Sequence, residues 1–254
     1  NMNIIVCAKQ VVDASEIKID SSTKKLILQG VTQKISDIDK NAMEEAIKLK
    51  DKHGGKITTV TVGAPDAKER IKELLAMGAD EGVLVTPPEK YDYHVASTLL
   101  AEAIKKIGEY DVVFCGEAST DMFSGQMGPR LAGLLGIPQI TYAFEVDAAK
   151  DKIVCNRNMG DKSITTESSY PVLITVTKEI NEPRLPSLMQ ILAAANKPIN
   201  EWTSDSLSSG LKPVVDTLDL KGVSMERKNV IYKDDLDESI NQLVESLAKE
   251  GVLR

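Results

Sequence analysis

The feature that most constrains this chain is an alternation running through its first half. Short runs rich in Val, Ile and Thr take turns with amphipathic stretches of helical period. The strand-like runs are Asn3–Val12, Lys56–Gly63, Gly82–Thr86 and Asp111–Gly116. Between them, Asp37–Lys52 carries Ala42, Met43, Ala46 and Ile47 on one stripe and ends at Gly54-Gly55. Ser36 and Asp39 at its start resemble a weak capping box. Asp66–Met77 carries Ile71, Leu74 and Leu75 and stops at Gly78, and Tyr93–Ile107 carries Val95, Leu99, Ala103 and Ile107. Strands that alternate with helices require crossovers, so the expected fold is α/β, a parallel sheet covered by helices on both faces.

Several segments depart from the alternation. Glu16–Asp20 and Lys25–Gln29 flank Ser21-Ser22-Thr23, which predicts a β-hairpin inserted after the first strand. After a helix over Pro129–Leu135, the runs Gln139–Val146, Ile153–Asn156, Ser163–Glu167 and Val172–Val176 read as consecutive extra strands. Asn181–Met189 is Pro-rich at its start, and Leu188–Asn196 reads as a short helix. Ser204–Gly210 is polar and reads as a flexible link, and Asp234–Lys249 as a closing amphipathic helix with Leu236, Ile240, Leu243, Val244 and Leu247. The expected organisation is therefore an α/β domain over 2–200 and a C-terminal arm over 201–254.

Composition narrows the function. With 254 residues, 42% hydrophobic, the chain can bury roughly 70–75% of its unfolded surface. No run approaches the ~20 apolar residues of a membrane span. The formal charge of -7 argues against a nucleic-acid binder, which needs a basic face. Cys7, Cys115 and Cys155 are odd in number and far apart, with no CxxC, which fits neither a zinc site nor a disulfide framework and points to a reducing, cytoplasmic setting. Met2 leads directly into a strand-like run rather than a signal peptide.

In an open parallel sheet, ligands bind beyond the carboxyl ends of the strands. Those ends are Cys7-Ala8-Lys9, Val62-Gly63-Ala64 and Cys115-Gly116-Glu117. The loop after the last, Ala118–Pro129, is long and holds Gly125 and Gly128 before a helix with a first-turn proline. Its glycines and the helix start suit the phosphate of a nucleotide, although ordinary turn glycines read the same way. Asp121 reads as a ribose contact or a turn cap, and Lys9 as a phosphate contact or a solvated side chain. Asp37 and Asp39 are explained by helix-terminus electrostatics. Cys7 and Cys115 read as buried packing residues. There is no GxGxxG after the first strand, no GxxxxGK[ST], and no nucleophile–base–orienter set.

Five stretches in order carry a family resemblance: Asn3–Val11, Ala42–Lys50, Leu75–Asp80, the Asp121–Pro129 loop with Gly125-Gln126, and Asn181-Glu182-Pro183-Arg184. Over nearly its whole length the chain resembles the beta subunit of electron transfer flavoprotein. The resemblance implies a Rossmann-like fold of the adenine-nucleotide-hydrolase type and pairing with an alpha subunit that holds most of the redox FAD. It implies that this chain binds either AMP or, as in electron-bifurcating members that oxidise NADH, a second FAD. The family's nucleotide contacts fall on Cys7, Ala8 and Lys9, on Ser36, Asp37, Ile38 and Asp39, on Val62, and on Asp121, Met122, Phe123, Ser124, Gly125, Gln126, Met127, Gly128 and Pro129, beside Gly63 and Gly116 at their strand ends.

The resemblance also implies a recognition loop over 184–196 that docks acyl-CoA-type or other flavin dehydrogenases, with Arg184, Leu185, Leu188 and Met189 as partner contacts and Leu188 as anchor. Read from the residues alone, Leu188 also fits as a core leucine of a short helix. It implies a C-terminal arm that wraps the alpha subunit. Such a chain is an electron-carrier subunit with no catalytic residues of its own, and takes part in NADH oxidation only if it holds a second FAD. Ser36-Asp37 stands where the family usually has Asn-Pro, and Phe123 where bifurcating members often have an acid. Met127-Gly128-Pro129 leans towards the bifurcating group. The rival reading is a stand-alone ATP-binding or nucleotide-hydrolysing domain of universal-stress-like type, although Gly116–Gly128 lacks the glycine pattern of such ATP loops.

Overall fold

A computed structural model describes residues 1–223 and 227–253. The strands, in chain order, are β1 (Met2–Cys7), β2 (Gln10–Val12), β3 (Lys18–Ile19), β4 (Leu26–Ile27), β5 (Gln33–Ile35), β6 (Gly55–Val62), β7 (Glu81–Thr86), β8 (Val112–Gly116), β9 (Gln139–Ala148), β10 (Lys152–Asn158), β11 (Ser163–Ser169), β12 (Val172–Val176) and β13 (Ile199–Thr203). The helices are α1 (Asp37–His53), α2 (Lys68–Met77), α3 (Tyr93–Ile107), α4 (Met127–Leu135), α5 (Leu188–Ala194), α6 (Ser204–Leu207) and α7 (Leu236–Lys249).

The chain divides into two compact units, one of residues 1–18 and 27–219, the other of residues 19–26 and 220–254. The larger holds a nine-stranded sheet in the order β11-β10-β9-β12-β8-β1-β6-β7-β13. The strands from β9 to β13 in that order are parallel to their neighbours, while β10 and β11 add an antiparallel meander at one edge. The expected α/β architecture is thus present. Side chains alternate along each strand between two cores. Ile4 and Val6 of β1 join Phe114 of β8 and Ala42, Met43, Leu74 and Leu75 of α1 and α2 on one face. Ile5 and Cys7 join Val113 and Cys115 and the α3 and α4 residues Leu99, Ile104 and Leu131 on the other.

The main elements follow the periodicity of the sequence, with three corrections. The run Asn3–Val12 breaks at Ala8-Lys9, because β2 leaves the sheet to pair with β5. Ser204–Gly210 is not a bare link: Thr203 caps the short α6, accepting from Ser206, and Leu207 packs against the second core. Ile199–Thr203 forms the edge strand β13 beside β7, an element the pattern did not reveal. Its half-buried Trp202 lies under Lys106, 4.3 Å from the ring centre.

In the smaller unit, Asp20 accepts from Ser22 and Thr23 in the hairpin turn, and the Gly222 N–H donates to Lys24 O at 2.8 Å. Helix α7 carries its apolar residues as expected, yet Leu236, Ile240, Leu243 and Val244 are exposed. Residues 224–226 and 254 of the expected arm lie outside the described residues.

Candidate functional site

The chain runs from β1 outward through β6 to β7, then returns to the other side of β1 as β8. The carboxyl ends of β1 and β8 therefore flank the topological switch point, where an open α/β sheet leaves a crevice. Cys7, Ala8 and Lys9 close one side, and Cys115, Gly116 and Glu117 the other. Val62 and Gly63 end the next strand out.

The first turn of α1 spans this crevice. Asp39 accepts the Lys9 N–H on Oδ2 (2.8 Å) and the Gly116 N–H on Oδ1 (3.0 Å), tying both strand ends to one buried carboxyl. Burial pushes Asp39 up to about 7, against the opposing pull of those two N–H bonds and of Lys9. The capping-box expectation is corrected here. Asp39 serves the strand ends, and the Ser36 hydroxyl makes no cap bond but accepts the Thr120 N–H at 3.1 Å. Ser36 N–H in turn donates to Lys9 O at 2.9 Å. Asp37 turns outward to Lys34 (3.0 Å), and Ile38 is buried beneath the crevice.

Gly116 is glycine for lack of room. A Cβ there would stand 2.7 Å from Asp39 Oδ1 and 3.0 Å from Ile38 Cγ2. Gly128 in α4 is crowded likewise, with Thr175 Cγ2 2.3 Å from where its Cβ would lie. These two close approaches bring α1 onto β8 and α4 onto β12.

The loop between β8 and α4 arches over the crevice. Lys9 Nζ pairs with Asp121 Oδ2 at 2.7 Å, joining the end of β1 to the loop. Partial burial works against the Asp121 charge, but Lys9, the Ser119 hydroxyl and the Met122 N–H hold its carboxyl below the usual range. Phe123 takes a left-handed backbone (φ +47°), braced by its N–H to Ser119 O at 2.9 Å, and Gly125 takes another (φ +65°). Asp121, Met122, Phe123, Ser124 and Gln126 are exposed, with Gly125, Met127 and Pro129 half-buried. Helix α4 begins at Met127, two residues before Pro129, so its first N–H groups face the loop rather than a preceding turn. The Thr120 hydroxyl is buried with no partner among the described residues.

Gly125 and Pro129 also line a cavity of about 270 Å³. Glu117, Gln139, Thr141, Tyr142, Arg157 and Thr175 complete its lining. The pairing of β9 with β12 slips a register between Ile174 and Val176, where Tyr142 adopts φ +58° and its N–H reaches Thr175 Oγ1 at 3.0 Å. Arg157 is fixed by Thr141, through Nε to the carbonyl (2.8 Å) and Nη2 to Oγ1 (2.9 Å). Burial, with Glu179 nearby, raises the Glu117 carboxyl. Glu117 was legible as the residue closing a strand end, whereas Tyr142 and Arg157 were missed by sequence reasoning. Those two sit in ordinary-looking strand contexts, and the register slip sets them at the cavity.

A second surface lies away from the crevice. Ser187 and Gln190 form a full capping box that starts α5. Leu185 is 93% exposed, Leu188 71% and Met189 75%, while Ala194 is buried. The reading of Leu188 as a core leucine is thereby excluded. Arg184 is turned the other way, to Glu44.

A family model described as the electron transfer flavoprotein domain matches residues 23–207. The beta subunit of electron transfer flavoprotein from Thermoanaerobacterium thermosaccharolyticum is 38% identical over 99% of this chain and 100% of its own length. This chain belongs to the electron transfer flavoprotein family. The corresponding beta subunit from Clostridium acetobutylicum is 42% identical, over 81% of this chain and 80% of its own. Subunit CarD of the caffeyl-CoA reductase–Etf complex of Acetobacterium woodii is 37% identical, over 84% and 81%. Electron transfer flavoprotein subunits thus include members of reductase complexes. Among the described residues no helix is long and apolar enough to cross a membrane.

Proposed function

We propose that this chain is the beta subunit of a heterodimeric electron transfer flavoprotein, that it binds a nucleotide at the switch point between β1 and β8, and that it docks flavin dehydrogenases or reductases through Leu185, Leu188 and Met189. The Thr120 hydroxyl, buried with no partner among the described residues, and the helix start at Met127 fit a phosphate-bearing ligand. Lys9 and Asp121 would flank it. Ser36 and Asp39 would act indirectly, by holding the loop and the strand ends in place.

The nucleotide we infer is a second FAD rather than AMP. The observation that carries this is the cavity lined by Gly125 and Pro129, which a mononucleotide held by the loop would not use. Tyr142, Gln139 and Arg157 offer that space an aromatic face and hydrogen-bonding groups. Bound there, FAD supplies the electron-carrying chemistry, with NADH as its donor. The chain's own residues bind, orient and exclude water. Likeness to the CarD subunit supports a place in a reductase-linked complex.

The test is to co-express the chain with its alpha subunit, purify the heterodimer and quantify released ligands by mass and absorbance. Two FAD and no AMP per heterodimer is the expected result. One FAD and one AMP would refute the second flavin and leave a simple shuttle, and no nucleotide beyond the alpha-subunit FAD would refute the crevice assignment.

A further inference from the structure

Besides Asp39, helix α1 buries three polar side chains that its apolar stripe does not call for. Asn41, Glu44 and Glu45 are 3%, 4% and 6% exposed. Apart from Lys48, 3.6 Å from Glu45 on the same helix, their partners lie in one segment. Asn41 Nδ2 donates to Asn181 O (2.8 Å) and Asn181 Oδ1 (3.1 Å). Asn181 Nδ2 donates back to Asn41 O (3.0 Å) and to Glu45 Oε2 (3.1 Å). Glu44 takes three bonds from Arg184: the backbone N–H (3.1 Å) and Nε (2.9 Å) on Oε2, and Nη2 (3.0 Å) on Oε1. Asp51 stands 3.5 Å from Arg184 Nη2.

A buried carboxylate is a poor source of stability, because an apolar side chain of the same volume would do as well or better. What a two-pronged guanidinium–carboxylate pair adds is direction, since both planes are fixed at once. The direction matters here because the next residue, Leu185, stands almost fully in solvent, and Leu188 and Met189 follow it. Pro183 and Pro186 restrict the backbone on either side of the Arg184-Leu185 pair. The same helix reaches the nucleotide crevice with Ser36 and Asp39 one to two turns earlier.

We propose that Glu44, with Asn41 and Glu45, is a mount for the docking loop: it positions Arg184 and so sets the angle at which Leu185, Leu188 and Met189 meet a partner dehydrogenase. Arg184 then acts as the mount's counterpart rather than as a partner contact. This inference rests on the docking reading above.

The test uses the intact heterodimer carrying Glu44→Gln, Arg184→Lys or Leu188→Ala. The partner is the acyl-CoA dehydrogenase that supports the fastest electron transfer with the unaltered heterodimer. The dissociation constant, the KM for the partner, kcat at saturating partner, bound nucleotide and hydrogen exchange over 182–192 are measured. Glu44→Gln should raise the dissociation constant and KM tenfold or more and speed exchange over 182–192. kcat and nucleotide content should stay within twofold. Arg184→Lys keeps Glu44 paired but loses the fork, so it should fold and show a smaller rise of the same kind, and it carries the test should Glu44→Gln not assemble. If the mount variants bind within twofold of the unaltered heterodimer while Leu188→Ala binds weakly, the loop docks without its mount and the inference fails. If Leu188→Ala also binds normally, the docking reading fails and takes the mount with it. A fall in kcat or loss of nucleotide at unchanged KM would make Glu44 a general structural residue and overturn the proposal.

Discussion

Adding one methyl group at Gly116 tests the crevice directly. Gly116 has no left-handed backbone, so alanine is acceptable there conformationally, and the whole effect must come from crowding. The new Cβ would fall 2.7 Å from Asp39 Oδ1, 3.0 Å from Ile38 Cγ2 and 3.1 Å from the Ile38 carbonyl carbon. An ordinary contact needs several tenths of an ångström more, and two of those atoms are backbone or a branched side chain in a packed core. The first turn of α1 must therefore retreat from β8. That stretches the 3.0 Å Gly116 N–H···Asp39 bond, worth about 0.5–1.5 kcal/mol to the neutral carboxyl and about 1.5–3 kcal/mol to the carboxylate. Overpacking adds about 1–3 kcal/mol. Gly116→Ala should thus cost about 1.5–6 kcal/mol, a large fraction of the ~5–15 kcal/mol that holds a typical domain. Urea unfolding of the purified heterodimer at pH 7, with ligand release on the same sample, measures both consequences, and nucleotide retention should fall with stability. Gly133→Ala is the control, since nothing lies within 4 Å of its Cβ and it should be neutral or stabilising by up to about 1 kcal/mol. A loss below about 1 kcal/mol at Gly116 with full nucleotide retention would refute the argument that the crevice is built on this close approach.

Other outcomes follow from the same geometry. Because the Asp39 carboxyl is raised from 3.8 to about 7 on folding, the native state binds more protons between those values, and stability should fall as pH rises from about 4 to 7, by at most on the order of 4 kcal/mol. Asp39→Asn should flatten that part of the curve, and parallel curves for the two proteins would show that another group is responsible. Lys9→Ala removes a partly exposed ion pair, so unfolding free energy should change by less than about 1 kcal/mol while nucleotide affinity drops, as isothermal titration with the released nucleotide would show. Tyr142→Asn should relieve left-handed strain, raising stability by about 1 kcal/mol, yet lower flavin retention; equal retention would separate Tyr142 from the ligand.

The alternation of β-branched runs and amphipathic stripes was enough to specify the parallel sheet, because each pattern has only one face to bury and each crossover must return a helix to the sheet. Tyr93–Ile107 and Val172–Val176 have the ends that their patterns imply. The strand ends Cys7–Lys9 and Gly116, and the long glycine-bearing loop after them, were legible for the same reason: a β-branched run shows where its strand stops. The β13 edge strand was not legible, since Ile-Asn-Glu-Trp-Thr is half polar and is held by pairing with β7 rather than by its own pattern.

What the sequence determined by itself was the order of elements, the two-sided core and the end of the sheet where a ligand can sit. These depend on local periodicity. Tertiary structure alone decided the rest, because it depends on contacts between residues far apart in the chain. Asp39 reads as a helix-terminus acid until Gly116, 77 positions away, donates to it. Tyr142 and Arg157 become a cavity wall only through a slip of register between strands. Leu188 could have been core or surface, and 140 positions separate Glu44 from the Arg184 that precedes the exposed leucines. No local pattern encodes such meetings; they follow from how the strands are ordered and how closely a glycine lets two elements approach.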